Sequence, residues 1–492
     1  MLREIWIVPC DCWLFDRHGR RQNLGSQYVS SGLSISQQQE VHSMISADEL
    51  RQLVRPDGVH KRVYTDPEIF SLEMQRVYGQ VWIYVGHESQ VPKTGDYHTT
   101  QLGDQKVIMV RVNDQKVSVL YNRCPHRGAN LVADGAGCVG KFFRCSYHAW
   151  TFKLDGSLLT TPMRAGFEGT TFDPTSPEVS MVPVAQVDSY RGFVFAKQSL
   201  GGPGLVEFLG GAASSIDNLC DRSPVGKVEV AGGVFRVMQL SNWKMFYENL
   251  HDTMHGPVTH ESSVIAAREQ AEEIGEMPFE LLIQDGNGEP YSFWEKLELR
   301  AYHYGHGYME GIFDPAAATR DEVSRRHFAC LSDAYGEERA REILGMSRHN
   351  TIIYGSGSPH NVFQQFRVIR PVSVDRTLVE IQVFRCVGAP PEVFDRALAY
   401  ANVVNSPSSN VMPDDVEVYR RCQVGNTAAG GDWISQHRYA GTDVVLPDGA
   451  VSINGTSELP MRNQFAAWLQ YMESEPLAPA KDQQRLEVHC VE

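Results

Sequence analysis

Cys124-Pro125-His126 and Cys145-Ser146-Tyr147-His148 set two thiol and imidazole pairs of unequal reach eighteen residues apart. Two thiolates on one iron and two neutral imidazoles on the other would hold a [2Fe-2S] cluster with less negative charge than an all-cysteine cluster, and so at a higher reduction potential. Structural zinc, the competing use of four Cys and His ligands, favours CxxC pairs and regular knuckle spacing. Neither pair has that form, and scattered core cysteines would not bring four ligands in order. The chemistry predicted here is one-electron transfer.

A second constellation gives that electron a destination: Glu248-Asn249-Leu250-His251-Asp252-Thr253-Met254-His255-Gly256-Pro257-Val258-Thr259-His260. Read as a helix from about Trp243, it sets Glu248, Asp252 and His255 on one face, because residues three or four apart are neighbours on a helix surface. Gly256-Pro257 then breaks the helix, and His260 can swing back toward His255. Two neutral imidazoles and one carboxylate on one face leave open positions on a metal, as in the facial triad of non-haem Fe(II) oxygenases. A candidate carboxylate stands far downstream in Pro413-Asp414-Asp415-Val416-Glu417, the start of a predicted helix running through Tyr419 and Arg421 to Gly425. Taken alone, an acidic pair at a helix start is ordinary capping and dipole chemistry.

Three motifs in this order, CPHRG with CSYHAW, ENLHDTMHGPVTH and PDDVEVYRRCQVG, give the chain a resemblance to the large (alpha) subunits of Rieske aromatic-ring-hydroxylating oxygenases, from about Met44 to Met472. The resemblance implies that Cys124, His126, Cys145 and His148 hold a Rieske [2Fe-2S] cluster. Arg127-Gly128 and Ala149-Trp150 then form its loop tips, with Tyr147 donating to a sulfur. It also implies that His255, His260 and Asp415 bind a mononuclear non-haem Fe(II), Asp414 being the runner-up ligand. Asn249 looks like an amide that approaches the iron without firm ligation, and Asp252 like a carboxylate bridging His255 to His148 of the partner subunit. The implied fold is α+β, a Rieske-type beta domain inserted into a helix-grip (START-like) catalytic domain of antiparallel sheet and helices.

By the same resemblance, electrons pass from the cluster through His148, Asp252 and His255 to the iron, and an arene takes up both atoms of O2 as a cis-dihydrodiol. No convincing nucleotide-binding loop is present, so NADH must act through a separate reductase, alone or with a ferredoxin. The expected assembly is a homotrimer, or an alpha3beta3 form with a small beta subunit. A Rieske monooxygenase or O-demethylase shares both metal sites and is the alternative. An electron-transfer or ligand-binding protein that had lost its iron would lack at least one of His255, His260 and Asp415, and all three are present.

Other residues point to the pocket less directly. His251 lies off the metal face of the predicted helix and reads as solvated or packed. His303 and His306 follow at a distance where relatives line the substrate pocket, with an ordinary loop as the equal alternative. Gly256 is small, and Val411 stands where relatives often carry a large aromatic, which implies a roomy pocket. An aromatic acid and a neutral bicyclic arene both remain open as substrates.

The whole chain sets bounds on these readings. A length of 492 residues suits two domains with a tail, and 42% apolar with 21% charged residues is an ordinary globular composition. A net charge of −15 disfavours nucleic acid or an anionic membrane as partner. Ten cysteines without an extracellular-style framework point to the cytoplasm. No apolar run reaches a membrane span, and the opening segment, interrupted by Pro9 and Asp11, does not read as a signal peptide.

Along the chain, residues 1–43 read as a disordered extension, with Met44 the candidate start. Ser46-Ala47-Asp48-Glu49 offers a capping box within a segment, 44–80, assigned to the catalytic domain. A beta domain over 81–201 includes a hairpin of Val107–Val112 and Val117–Tyr121 about Asn113-Asp114 that leads into the first ligand loop. Thr151–Lys153 and Gly192–Ala196 complete it. The catalytic domain covers 202–473, with a charged helical stretch over Arg320–Leu344 and antiparallel strands at Thr351–Tyr354, Val362–Arg370 and Leu378–Val387. A last helix presents Met461, Phe465, Trp468, Leu469 and Met472 on one face, and 474–492 read as a loose tail.

Overall fold

Val107-Ile108-Met109-Val110 shows how the chain wraps the first metal motif. In the strand Gln105–Asn113, Val107 and Met109 join the main core, while Ile108 and Val110 join a smaller core with Cys124, Cys145, Phe143 and Trp150. Side chains alternate with period two, so a strand covered on both faces reads as an unbroken apolar run. The predicted hairpin forms with Lys116–Tyr121, in antiparallel register from Val107↔Tyr121 to Arg111↔Val117. It lies in a four-stranded sheet with Asp96–Leu102 and Ala136–Cys138. Phe142–Arg144, Thr151–Lys153 and Leu158–Thr160 form a second small sheet, and Ile83–His87, Phe193–Lys197 and Gln186–Tyr190 a third.

The computed structural model of the chain describes residues 45–312 and 321–474. The expected extension over 1–43, the start at Met44 and the tail from 475 lie outside the described residues. Ser46 and Glu49 do form the reciprocal capping box that opens the helix Ala47–Arg51.

Beyond residue 201 the centre is a four-stranded antiparallel sheet in the order Val228–Gln239, Arg376–Cys386, Gln365–Ser373, Gly357–His360. A bridge between Ile353 and Gly357 links it to a five-stranded sheet that begins at His349–Ile352. The predicted strand Thr351–Tyr354 is therefore shifted two residues toward the N-terminus. The charged stretch divides into two helices, Glu322–Tyr335 and Glu337–Gly345, because Gly336 between them takes a φ of 86°. The arrangement is the expected α+β mixture of antiparallel sheets and helices. No helix among the described residues is long and apolar enough to cross a membrane.

Three helices that position the second motif meet at one buried carboxylate. Glu73, on the helix Pro67–Arg76, is fully buried and accepts from the indole N–H groups of Trp243 at 2.8 Å and Trp468 at 2.7 Å, and from Lys244 Nζ at 2.5 Å. Trp243 and Lys244 open the helix Trp243–Leu250, and Trp468 belongs to Leu459–Glu473. A buried charge is tolerated when it is paired and hydrogen-bonded, so this cluster fixes how the three helices meet.

Candidate metal centres

The two cysteine loops share one backbone design. The Cys124 N–H donates to the Ala129 carbonyl at 2.8 Å, and the Gly128 N–H to the Cys124 carbonyl at 2.9 Å. In the second loop Cys145 and Trp150 repeat the first bond at 2.8 Å, and Ala149 and Cys145 the second at 3.0 Å. The fourth residue after each cysteine must then turn left-handed: Gly128 does so at φ 76° and Ala149 at φ 54°. A residue with a Cβ pays roughly 1–2 kcal/mol for that conformation, so Ala149 is held there by its surroundings.

Cys124 and Cys145 are both buried. Burial raises the Cys124 thiol above its ordinary pKa, against the opposing backbone N–H of His126. His126 and His148 lie with ring centroids 4.6 Å apart, and Trp150 stacks on His126 at 4.8 Å with planes 3° apart. The Nδ1 atom of His148 is buried without a hydrogen-bond partner. Two buried thiols and two adjacent imidazoles are the donor set that a [2Fe-2S] cluster of mixed ligation requires. Tyr147 departs from expectation: it is 62% exposed with its ring 3.7 Å from that of His148, and no hydrogen bond to Cys124 or Cys145 is among its described contacts.

The second motif is not one helix. Trp243–Leu250 ends before Asp252, His251 takes φ −114° and ψ 10°, and a short helix Gly256–Thr259 begins at the expected break. Pro257 suits a first turn, where its missing N–H has no intrahelical partner to lose. Gly256-Pro257 therefore opens a helix, with His255 and His260 at its two ends. Their rings come to 5.4 Å between centroids at 74°.

Asp415 completes the group. It lies in the first turn of Met412–Gly425, and one ligand atom each from His255, His260 and Asp415 falls within 4.8 Å of the others. Asp415 Oδ1 is 3.6 Å from His255 Nε2 and 3.3 Å from His260 Nε2. The Asn249 amide nitrogen lies 3.1 Å from His255 Nε2 and donates to Asp415 Oδ1 at 3.2 Å. Asp414 faces the other side of its histidine, with Oδ2 3.5 Å from His260 Nδ1. Asp252 occupies the matching place on His255: Oδ2 is 3.9 Å from the buried, otherwise unpartnered Nδ1, while Oδ1 accepts from the Met254 N–H at 2.8 Å.

Burial alone would depress the pKa of His260, but the Asp415 and Asp414 carboxylates overcome it and leave the ring above its ordinary value. Two imidazoles and a carboxylate converging from one side, with carboxylates behind both rings, fit a mononuclear divalent iron.

The remaining histidines separate clearly. His251 is packed: it is buried, and its Nε2 lies 2.5 Å from the Asn350 carbonyl. His306 is buried with both nitrogens engaged, by the Phe208 carbonyl at 2.7 Å and the Tyr354 N–H at 3.0 Å, and His303 is exposed. The ordinary-loop alternative describes them. Val411 is buried, and its carbonyl accepts from the N–H groups of Asp414 and Asp415. Sequence reading does not single out His360 and Arg367, which share one face of the four-stranded sheet, or His349, whose ring meets that of His360 from the adjoining sheet. Their only sequence signal is an arginine inside an otherwise apolar strand pattern.

Residues 81–184 match the Rieske [2Fe-2S] domain, and residues 238–475 the ring hydroxylating alpha subunit (catalytic domain). The toluate 1,2-dioxygenase subunit alpha of Pseudomonas putida is 33% identical over 398 residues, covering 79% of this chain and 83% of the relative. The anthranilate 1,2-dioxygenase large subunit of Acinetobacter baylyi is 30% identical over 382 residues, with coverages of 75% and 78%. A crystal structure of naphthalene 1,2-dioxygenase with indole bound shares the fold at a TM-score of 0.72 and 24% identity, over 85% of this chain and 92% of that one. Both metal motifs, the α+β architecture and this extent of likeness place the chain in the family of ring-hydroxylating dioxygenase alpha subunits that carry a Rieske [2Fe-2S] domain.

Proposed function

We propose that this chain is the terminal oxygenase of a multicomponent system that dihydroxylates an aromatic ring, with His255, His260 and Asp415 as the iron ligands. The convergence of two Nε2 atoms on Asp415 Oδ1 carries the assignment. When bound, the Rieske cluster supplies electrons singly and the mononuclear iron activates dioxygen. Cys124, His126, Cys145 and His148 would hold the first, and the three clustered residues the second.

The chain's own groups have separable tasks. Asp414 accepts the Nδ1 proton of His260, which leaves Nε2 with a lone pair directed at the site. Asp252 faces Nδ1 of His255 from 3.9 Å, beyond hydrogen-bond distance, where its negative charge favours the proton on that nitrogen, and its Asx-type bond to Met254 fixes the carboxylate that faces the ring. Histidine ligands keep their tautomer and orientation through such outer partners. Asn249 fills the space between His255 and Asp415 with an amide, which orients Asp415 Oδ1. Asp252 is a surface-reaching carboxylate at 35% side-chain exposure, so it can also meet His148 of the partner subunit in a trimer, with or without a beta subunit. A ferredoxin or reductase delivers the electrons, and ten cysteines without an extracellular-style framework suit the cytoplasm.

The test is product analysis with labelled dioxygen, using the purified protein and an NADH-driven reductase and ferredoxin. Both label atoms should appear in a cis-dihydrodiol. One label atom in a phenol or an O-demethylated product would replace the dioxygenase reading with a monooxygenase one.

A further inference from the structure

One face of the four-stranded sheet, covered by the segment of Ala397 and Asn405, carries a cation without an anion. Arg367 lies opposite Ser358, and Gln365 opposite His360, in the pairing of Gln365–Ser373 with Gly357–His360. Directly paired residues in a sheet point to the same side, so Arg367, Gln365 and His360 share a face. Gln365 identifies what covers it. Its amide donates to the Ala397 carbonyl at 3.5 Å and its oxygen accepts from Asn405 at 2.9 Å, in the segment that leads into Met412–Gly425 and Asp415.

Arg367 is 4% exposed, and no carboxylate lies in ion-pair range of it among the described residues. Its guanidinium donates to Asn350 Oδ1 and, at 3.4 Å, to Ser358 Oγ, while its Nε is buried without a partner. Asn350 in turn donates to the Leu250 carbonyl at 2.9 Å, at the end of the helix that carries Asn249. Through Asn350 the cation is tied to the end of the helix that carries Asn249, whose amide donates to Asp415.

His360 is fully buried with neither ring nitrogen partnered, and His349 Nδ1 is buried and unpartnered as well. Their rings meet at 4.7 Å between centroids. Burial comes first, followed by Arg367 and His251 for His349 and by His349 and Arg367 for His360, in holding both far below the ordinary histidine pKa. His360 therefore has an unmet N–H in either tautomer, and His349 an unmet Nδ1. Phe363 and Tyr400, stacked at 3.9 Å with planes 12° apart, form an aromatic wall against His360.

An unmet buried donor is destabilising, because it gives up its bonds to water and gains none. Three such residues at one place, one of them charged, are satisfied together by a ligand with acceptor oxygens and negative charge. Arginine suits a planar carboxylate, which it can engage through two parallel N–H groups. We propose that Arg367, with His360 and His349, receives the carboxylate of an aromatic acid whose ring lies against Phe363 and Tyr400 and reaches toward Asp415. This names the substrate class of the iron site and rests on the reading of that site as a ring hydroxylase.

The test uses the holoenzyme and matched pairs of equal shape: benzoate with nitrobenzene, and 2-naphthoate with 2-nitronaphthalene. Dissociation constants come from calorimetry, and hydroxylated product is measured separately. The acid of at least one pair should bind at least about 10-fold tighter than its neutral isostere. Arg367→Gln should weaken that acid on the order of 100-fold and shift the isostere little, since removing one member of a buried charge pair strands the other. Arg367→Lys, which keeps the charge but not the fork, should fall between. Equal binding within both pairs by the wild-type protein would overturn the proposal even if Arg367→Gln did not fold, and so would a variant that weakens acid and isostere alike. Tight acid binding without any hydroxylated product would leave this site standing and sink the ring-hydroxylase reading. Hydroxylation of neutral arenes without preference for acids would do the reverse.

Discussion

Asp252→Asn removes a charge while keeping a shape. Asparagine can still accept the Met254 N–H with its oxygen, so the turn that follows Leu250 is retained. What changes is the atom facing His255 Nδ1, which is buried and has no other partner. An amide N–H would point at a ring N–H, and the alternative tautomer would put the proton on Nε2, the atom directed at Asp415. At 3.9 Å a carboxylate and a full ring charge would interact by about 4 kcal/mol with an effective dielectric constant near 20. The ring is neutral as a ligand and Asp252 is 35% exposed, so the loss is a fraction of that. About 1.4–2.7 kcal/mol, or 10–100-fold in iron affinity or turnover, is expected, as for other outer partners of metal-bound histidines. The assay is a single turnover of pre-reduced protein, following cluster reoxidation by absorbance, with iron affinity measured separately by chelator competition. The cluster should remain reducible and its reoxidation should slow. An Asp252→Asn protein that binds iron and turns over at the wild-type rate would refute the assignment and leave Asp252 an ordinary turn carboxylate.

Cys145→Ser should abolish the visible absorption of the cluster while iron bound at His255, His260 and Asp415 persists, as measured by metal analysis; loss of both metals together would show the sites to be one folding unit. Glu73→Gln leaves the Lys244 ammonium buried beside a neutral amide and should cost about 3–5 kcal/mol in denaturant unfolding, with part recovered when Lys244→Met is added; an unchanged midpoint would show that the three helices do not depend on this pair. Glu248 is raised to about 7, first by burial, against the bonds it accepts from Tyr64 and Gln464. A carboxylate raised on folding holds its proton in the native state, so its contribution is full below the unfolded value near 4.5 and is lost as pH rises to about 7. Glu248→Gln should remove a stability decline of up to about 3 kcal/mol over that window, and parallel pH profiles for variant and wild type would refute the reading.

Local spacing made much of this protein legible before any folding. Two Cys/His pairs, two histidines flanking Gly-Pro and an acidic pair behind a proline are short-range patterns, and ligand chemistry limits what such patterns can hold. The hairpin Gln105–Asn113 with Lys116–Tyr121 and the amphipathic helix Leu459–Glu473 were likewise written in residue periodicity. Tertiary structure decided what depends on distant partners. Asp414 and Asp415 are equivalent in sequence, yet successive residues of a helix turn point about 100° apart, which sends Asp415 to the shared point and Asp414 to the far nitrogen of His260. Asp252 and His255 reach each other across a turn, where helical periodicity predicted one continuous face. His349, His360 and Arg367 sit on three separate strands, and no spacing rule joins them. Only the meeting of those strands brings His360 and His349 into contact and leaves the buried Arg367 Nε without a partner.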